Sequence, residues 1–347
     1  MAEIHSNGRA AGSEQRAGRG LLAARRSPLA ISDNDRRLMG RLAIATLGLF
    51  LFIAAFHRLN LLYSHKFFDV TGRAQWIWPQ HRVAANVPVA FFATRDFDLP
   101  KNRYFTRIKL AGDPQYTLYF NGREVGGRRT ADDMALDVYD VSTLARDGRN
   151  RIVVAVRSAN GVGGLLASVD ITPEYQNMVP SGSEWTIVRR WGNDLPLRDP
   201  PRIWRSSPML LGRPPARRWN FLSARPGKFM RPAQRIVAAR QVFRVHTALP
   251  VIDILGGVAV VGSRPMEAAV FDFGPVAGRL RLTNGFDGVT RAVKVRFAND
   301  RAEFQTIEGS VESFVFAPGE RTIVDPQERR FRYAMVYGGN AAIDVVQ

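Results

Sequence analysis

Tyr116–Gly127 reads YTLYFNGREVGG, two runs of aromatic and branched residues joined at Asn121-Gly122. Both residues of that dipeptide tolerate the positive φ of a tight two-residue turn, so the segment predicts a β-hairpin. The same texture continues outward. VAFFATRDFDL (Val89–Leu99), RYFTRIKLAG (Arg103–Gly112) and NRIVVAVRS (Asn150–Ser158) are short alternating runs bounded by turn residues. None is interrupted by a long 3.6-residue periodicity, which points to a sandwich of strands. LDVYDVSTLARDGRNRIVVAV adds a strand, a loop through Asp147-Gly148 and a strand rich in β-branched residues. A β unit is therefore expected over residues 74–172.

A second unit is expected over residues 235–347, where QVFRVHTALPVIDILGGVAVV, EAAVFDFG, GRLRLTNGFDG, TRAVKVRFAN, SVESFVFAPG and RRFRYAMVYGG again alternate and break at Gly, Pro, Asn and Asp. Between the two, residues 173–234 hold Pro196, Pro200, Pro201, Pro208, Pro214, Pro215, Pro226 and Pro232 among many arginines. Proline fixes φ and removes a donor, so this stretch is expected to be an extended connector. Trp204, Trp219 and Phe221 would pin it down by burial. A sharper reading makes Trp191, Trp204 and Trp219 stacking platforms for sugar rings, with neighbouring arginines holding acidic groups; these three are the candidate ligand-binding residues.

The order of pieces in the first unit is WIW (Trp76–Trp78), Tyr116–Gly122, VYDVSTL, DGRNRIVVAV and SEW (Ser183–Trp185). It resembles the galactose-binding-like jelly-roll domain that precedes the catalytic barrel of α-L-rhamnosidases. In the second unit AVFDFGPVAGRLRLTNGFDG, VKVRFAND, ESFVFAPGERT and RRFRYAMVYGG resemble the concanavalin-like sandwich of the same family. The resemblance implies an all-β fold with two jelly-roll-like sandwiches and an ancestry of sugar handling. The helical barrel that carries the family's carboxylates is expected to be missing, so no catalytic residue carries over.

Leu42–Phe56 reads LAIATLGLFLFIAAF, uncharged and apolar between Arg41 and His57-Arg58. Its fifteen residues rise roughly 22 Å as a helix, short of a hydrocarbon core of roughly 30 Å. Leu38, Met39, Leu59, Leu61, Leu62 and Tyr63 extend it to a span over residues 38–63, with membrane lipid as its partner. A cleaved signal peptide and a buried core helix compete with this reading. The preceding tail is too long for an ordinary signal peptide, and no A-x-A site follows. Met1–Arg41 holds eight arginines against four acids, a net +4, which favours a flexible cytoplasmic tail over residues 1–37 and a periplasmic or extracellular body.

The whole chain carries 49 Lys+Arg against 31 Asp+Glu, a net +18, and attracts polyanions at long range. With no cysteine, disulfide and thiolate chemistry are excluded. His5, His57, His65, His81 and His246 lack ligand spacing, so neither a metal nor a cofactor is expected. Asp132, Asp133, Asp272 and Glu303 are the acids weighed for glycoside hydrolysis, which needs two carboxyls across one bond. Asp272-Phe273-Gly274 has no kinase companions, and Gly161–Gly164 is a turn. No nucleic-acid module appears, and nucleic acid is not an expected partner. The expectation is a non-enzymatic, membrane-anchored protein that engages a cell-surface or acidic polysaccharide. The alternatives are an interaction subunit of an envelope assembly for polysaccharide synthesis or export, with protein partners, and a glycosidase with an unrecognised site.

Overall fold

The structure, a computed structural model, describes residues 33–80, 87–129, 135–192, 195–215, 223–255, 258–284, 288–305, 310–338 and 341–347. Most of the tail before Arg41, together with Asp132, Asp133, Trp219 and Phe221, lies outside the described residues. The chain divides into two units, Met1–Asn60 and Leu61–Gln347.

One helix, α1 (Asp33–Thr71), contains the apolar run. Its segment Asn34–Asn60 is 27 residues long, is apolar enough to cross a membrane, and has none of its most apolar window buried. Thr46 Oγ1 donates to Leu42 O at 2.8 Å, so the hydroxyl in that run is satisfied within the helix. The helix runs past both ends of the expected span because no proline interrupts it. It stops at Gly72, whose φ of 60° is the left-handed conformation that ends many helices. Lys109 Nζ donates to the Val70 carbonyl at 2.7 Å in that last turn.

The first body contributes β1 (Trp76–Pro79), β2 (Val89–Leu99), β3 (Arg107–Asp113), β4 (Gln115–Phe120), β5 (Arg123–Arg129), β6 (Leu136–Asp140), β7 (Gly148–Ser158) and β8 (Gly164–Asp170). Residues 173–234 then supply β9 (Thr186–Val188), β10 (Arg205–Ser206), β11 (Pro208–Gly212) and β12 (Ala224–Pro226). These build two six-stranded sheets, ordered β11-β1-β8-β3-β6-β12 and β10-β9-β2-β7-β4-β5. The proline-rich stretch is thus stitched into the sandwich rather than only lying along it. Three of its four strands sit at sheet edges, where a missing N–H interrupts no interior ladder. Trp78, Phe91, Phe120, Tyr139, Val154 and Trp185 fill the space between the sheets.

On β7 the alternate residues Val153 and Ala155 point the other way, into a second cluster with Phe92, Val315 and Ala317. The sheet of β7 is therefore buried on both faces, which explains the unbroken apolar run IVVAV.

The second body comprises β13 (Ile236–Ala238), β14 (Gln241–Leu255), β15 (Val258–Asn284), β16 (Arg291–Ala298), β17 (Val311–Phe316), β18 (Thr322–Tyr337) and β19 (Ala341–Val346). They form one sheet, β13-β19-β15-β18-β16-β17, with β14 also on β15. The long strands β15 and β18 shift register between Asp272 and Val276 and again between Arg279 and Arg281. Such bulges bend a strand. β16 pairs only with the late half of β18, and β19 only with the late half of β15. The sheet folds over so that residues of both halves, including Phe271, Leu282, Phe316, Phe331 and Ile343, share one core.

Charge and close approach join the two bodies. Arg157 of β7 donates Nη1 and Nη2 to the two carboxylate oxygens of Glu320, both at 2.6 Å, and Nη1 also to Val315 O at 2.8 Å. The Ala317 N–H donates to the same carboxylate at 3.0 Å. On β5, a Cβ at Gly126 would lie 2.4 Å from Lys228 O, and one at Gly127 would lie 2.6 Å from Tyr116 O, 2.8 Å from Met230 Cε and 3.1 Å from Pro326 Cβ.

Arg157 and Glu320 are 6% and 3% exposed, so removing one partner strands a buried charge. Glu320→Ala is expected to cost about 3–5 kcal/mol. Arg157→Met combined with Glu320→Leu should cost clearly less. Denaturant midpoints followed by tryptophan fluorescence on the full chain in detergent give the comparison.

Candidate functional site

The segment GRLRL places Arg279 and Arg281 on one face of β15 and Leu280 and Leu282 on the other. The leucines enter the core of the second body. The arginines face a cleft, one lobe of which holds about 640 Å³ between the β15 backbone at Ala277–Arg279, β18 at Glu328–Arg330, and Arg231, Pro232 and Gln234. A second lobe of about 480 Å³ shares Arg231, Pro232, Arg279 and Val346 and reaches Arg123 and Glu124 of β5. The two sandwiches and the segment that links them therefore all contribute walls. At Gly278 a Cβ would meet Val346 O at 2.6 Å, so only glycine lets β19 close up to the floor.

Six arginines line the two lobes, Arg123, Arg231, Arg279, Arg281, Arg329 and Arg330, against the acids Glu124 and Glu328. Several are held by partners. Arg281 pairs with Asp344 at 2.6 Å. Arg329 donates Nε to Glu312 at 3.1 Å and also pairs with Asp325. Arg279, 8% exposed, donates Nη2 to Arg231 O at 2.7 Å. Its Nη1 stands 3.7 Å from Glu124 and has no hydrogen-bond partner among the described residues. A guanidinium offers five donors and no acceptor, so an open buried donor is best met by an anion or a sugar oxygen. Burial pushes the Glu124 carboxyl above its ordinary range, and the Arg279 charge offsets that only in part. The cleft is thus a fixed basic surface with a titratable acid at its edge, suited to binding anionic groups.

A second polar cluster lies on the outer side of β2 and β7. Arg151 donates Nε and Nη2 to Asp96 at 2.5 and 2.6 Å and pairs with Asp199, while Arg149 meets Asp96 at 2.6 Å. Burial raises the Asp96 carboxyl, but the hydrogen bonds and charges of Arg151 and Arg149 prevail and hold it below its usual range. Its charges are matched among themselves, and Asp199 fastens the linking segment to β7.

Trp191 and Trp204 come together against one apolar cluster on the outer face of the β7 sheet. Trp191 sits 4.9 Å from the Phe92 ring, and the Arg190 guanidinium lies 5.3 Å above Trp204. Trp219 is outside the described residues. Among the weighed acids, Asp272 accepts the Gly274 N–H at 2.8 Å. Desolvation pushes the Asp272 carboxyl up, but that bond together with Arg332 and Arg240 outweighs it and leaves the carboxyl below the usual range. Glu303 accepts the N–H groups of Asn299 and Asp300 at 3.1 and 2.8 Å in a turn. Among the described residues no group of His, Cys, Asp and Glu could hold a metal ion. Sequence reading missed the cleft arginines, although the RLRL alternation is a signal that β15 has one apolar and one basic face.

No family profile matches the sequence, and no curated protein does. Solved structures resemble it at low identity. The α-L-rhamnosidase from Dictyoglumus thermophilum aligns at TM-score 0.46 and 15% identity over 79% of this chain and 35% of the enzyme. That from Aspergillus terreus aligns at TM-score 0.47 and 15% identity over 79% and 36%. A lectin from Pleurotus ostreatus, in complex with GalNAc, aligns at TM-score 0.37 and 14% identity over 80% and 75%. The chain spans about a third of the length of these rhamnosidases.

Protonating Glu124 removes a negative charge from the cleft, and its raised pKa starts that loss at a higher pH than for an ordinary glutamate. A sulfated polyanion, which does not titrate in this range, should therefore bind more tightly as pH falls from neutral toward the carboxylate range. Glu124→Gln should bind tightly throughout and flatten the slope in titration calorimetry.

Proposed function

We propose that this chain is a membrane-anchored, non-catalytic glycan-binding protein that engages acidic polysaccharide in the arginine-lined cleft. The observation that carries the reading is Arg279, a nearly buried guanidinium with an unused donor, flanked by exposed Arg231 and Arg330. Arginine matches carboxylate and sulfate by paired, planar hydrogen bonds, and a partly desolvated guanidinium binds them more strongly than one in water. The net +18 adds long-range attraction that draws polyanions toward the site.

In this reading α1 is the anchor. Its Asn34–Asn60 segment crosses the bilayer, the arginine-rich tail stays cytoplasmic, and the sandwiches lie on the periplasmic or extracellular side. The length and composition of that segment support the anchor, and the basic tail supports the orientation.

The full chain in detergent is expected to bind a polyuronate or sulfated glycan and to ignore a neutral glucan of equal length, with affinity falling as salt screens the charges. Arg231→Ala together with Arg330→Ala should weaken polyanion binding by about tenfold or more, since each charge-assisted bond contributes about 1.5–3 kcal/mol. Equal binding to neutral glycan, or no effect of the double substitution, would overturn the assignment. Protease applied to the outer face of intact cells should remove the body and spare the helix; protection of the body would reverse the orientation.

A further inference from the structure

The two lobes of the cleft differ in chemistry. The larger is walled by Arg231, Arg329 and Arg330 with Glu328. The lobe of about 480 Å³ adds Met230, Ala233, Ile236 and Val324, none of which lines the other. Strand register leads from one lobe into the next. Glu328 of β18 stands opposite Arg279 of β15, Arg279 opposite Val346 of β19, and Val346 opposite Ile236 of β13. Residues directly opposite one another share a face, so this row passes from ions to aliphatic side chains. In the next row Arg281 stands between Val324 and Asp344 and gives its charge to Asp344 at 2.6 Å.

The aliphatic end of the row is open. Ile236 is 51% exposed on the edge strand of the sheet, and Pro232 and Ala233 of the same lobe are exposed as well. A long acyl chain laid there would keep most of its surface in water and gain little from burial. No aromatic ring lines this lobe among the described residues, so it offers no flat platform for the face of a sugar. A polymer with an anion at every position would set one against Ile236, where it sheds water and gains no partner. An uncharged ligand would leave the exposed Arg231 and Arg330 unmatched. A small acyl ester among carboxylates meets both demands. We propose that the cleft selects an acidic glycan esterified with acetyl groups, an acetyl methyl lying on Ile236 beside Val346 while neighbouring carboxylates meet Arg231 and Arg330. Such selection rests on the cleft being an acidic-glycan site, as proposed above.

Mild alkali removes acetyl esters from a polyuronate as acetate and leaves its charge and length unchanged, which isolates the acyl group. The full chain is held in phosphatidylcholine nanodiscs, so that no detergent tail competes for the lobe, and is titrated calorimetrically at neutral pH with the acetylated polymer and its de-esterified form. The acetylated form is expected to bind about fourfold more tightly for one buried methyl. Ile236→Thr keeps the β-branched shape that suits a strand and should equalise the two polymers without changing affinity for the de-esterified one. Val242→Thr, at a 55% exposed position on β14, should keep the preference intact. Equal affinity of the unaltered chain for both polymers, or tighter binding of the de-esterified one, would overturn the selection and leave the acidic-glycan site standing. Preference retained in Ile236→Thr would overturn the placement of the methyl. Binding of neither polymer would remove the site itself and the selection with it.

Discussion

The salt bridge between Arg157 and Glu320 is the constraint from which the remaining architecture follows. It joins a central strand of one sandwich to the turn before β18 of the other, and both groups lie out of water. In such a place neither charge is tolerable without its partner, and every lone pair or donor left open adds to the cost. Here the geometry is two-toothed, with Val315 O and Ala317 N–H taking up further bonding capacity. The apolar cluster of Phe92, Val153, Val315 and Ala317 surrounds this link and keeps water from competing for it. The bodies are therefore held in one arrangement, and a cleft walled by both keeps its shape without a ligand.

A cleft with fixed walls can place arginines where free side chains would avoid one another. β15 does this by alternation, with Leu280 and Leu282 feeding the core and Arg279 and Arg281 on the other face, while its two irregularities in register bend the strand. Asp344, Glu312 and Asp325 hold Arg281 and Arg329 in position. The acids thus set geometry, while the buried Arg279 guanidinium keeps one nitrogen without a hydrogen bond among the described residues, close to Glu124. Preorganisation of this kind lowers the entropy lost when a ligand docks.

Strand pattern was readable wherever the signal was local. Asn121 and Gly122 adopt φ of 49° and 83°, and Phe120 pairs with Arg123 across them, as the dipeptide implied. The run IVVAV was legible as a strand, but its burial on both faces was not, because the covering residues Val315 and Ala317 come from far along the chain. β10 and β12 are two and three residues long, too short to show a period. β12 is moreover placed by Arg225 reaching Asp137 at 2.9 Å, a pairing with no local signature. The helix outruns its apolar run because polar residues extend a helix as readily as apolar ones when no breaker intervenes. The cleft was half legible: RLRL announces a two-faced strand, but nothing near it in sequence reveals that Glu124 and Arg231 stand opposite.

Gly127 has a consequence of another kind. Its missing side chain makes room at once for the backbone of β4, for Met230 of the linking segment and for Pro326 of the second body. One added methyl group would press on all three, so they behave as a single mechanical joint with a common tolerance. Mutational drift in any one of them is answerable to the other two, and this seam should change more slowly than the outer strands on either side.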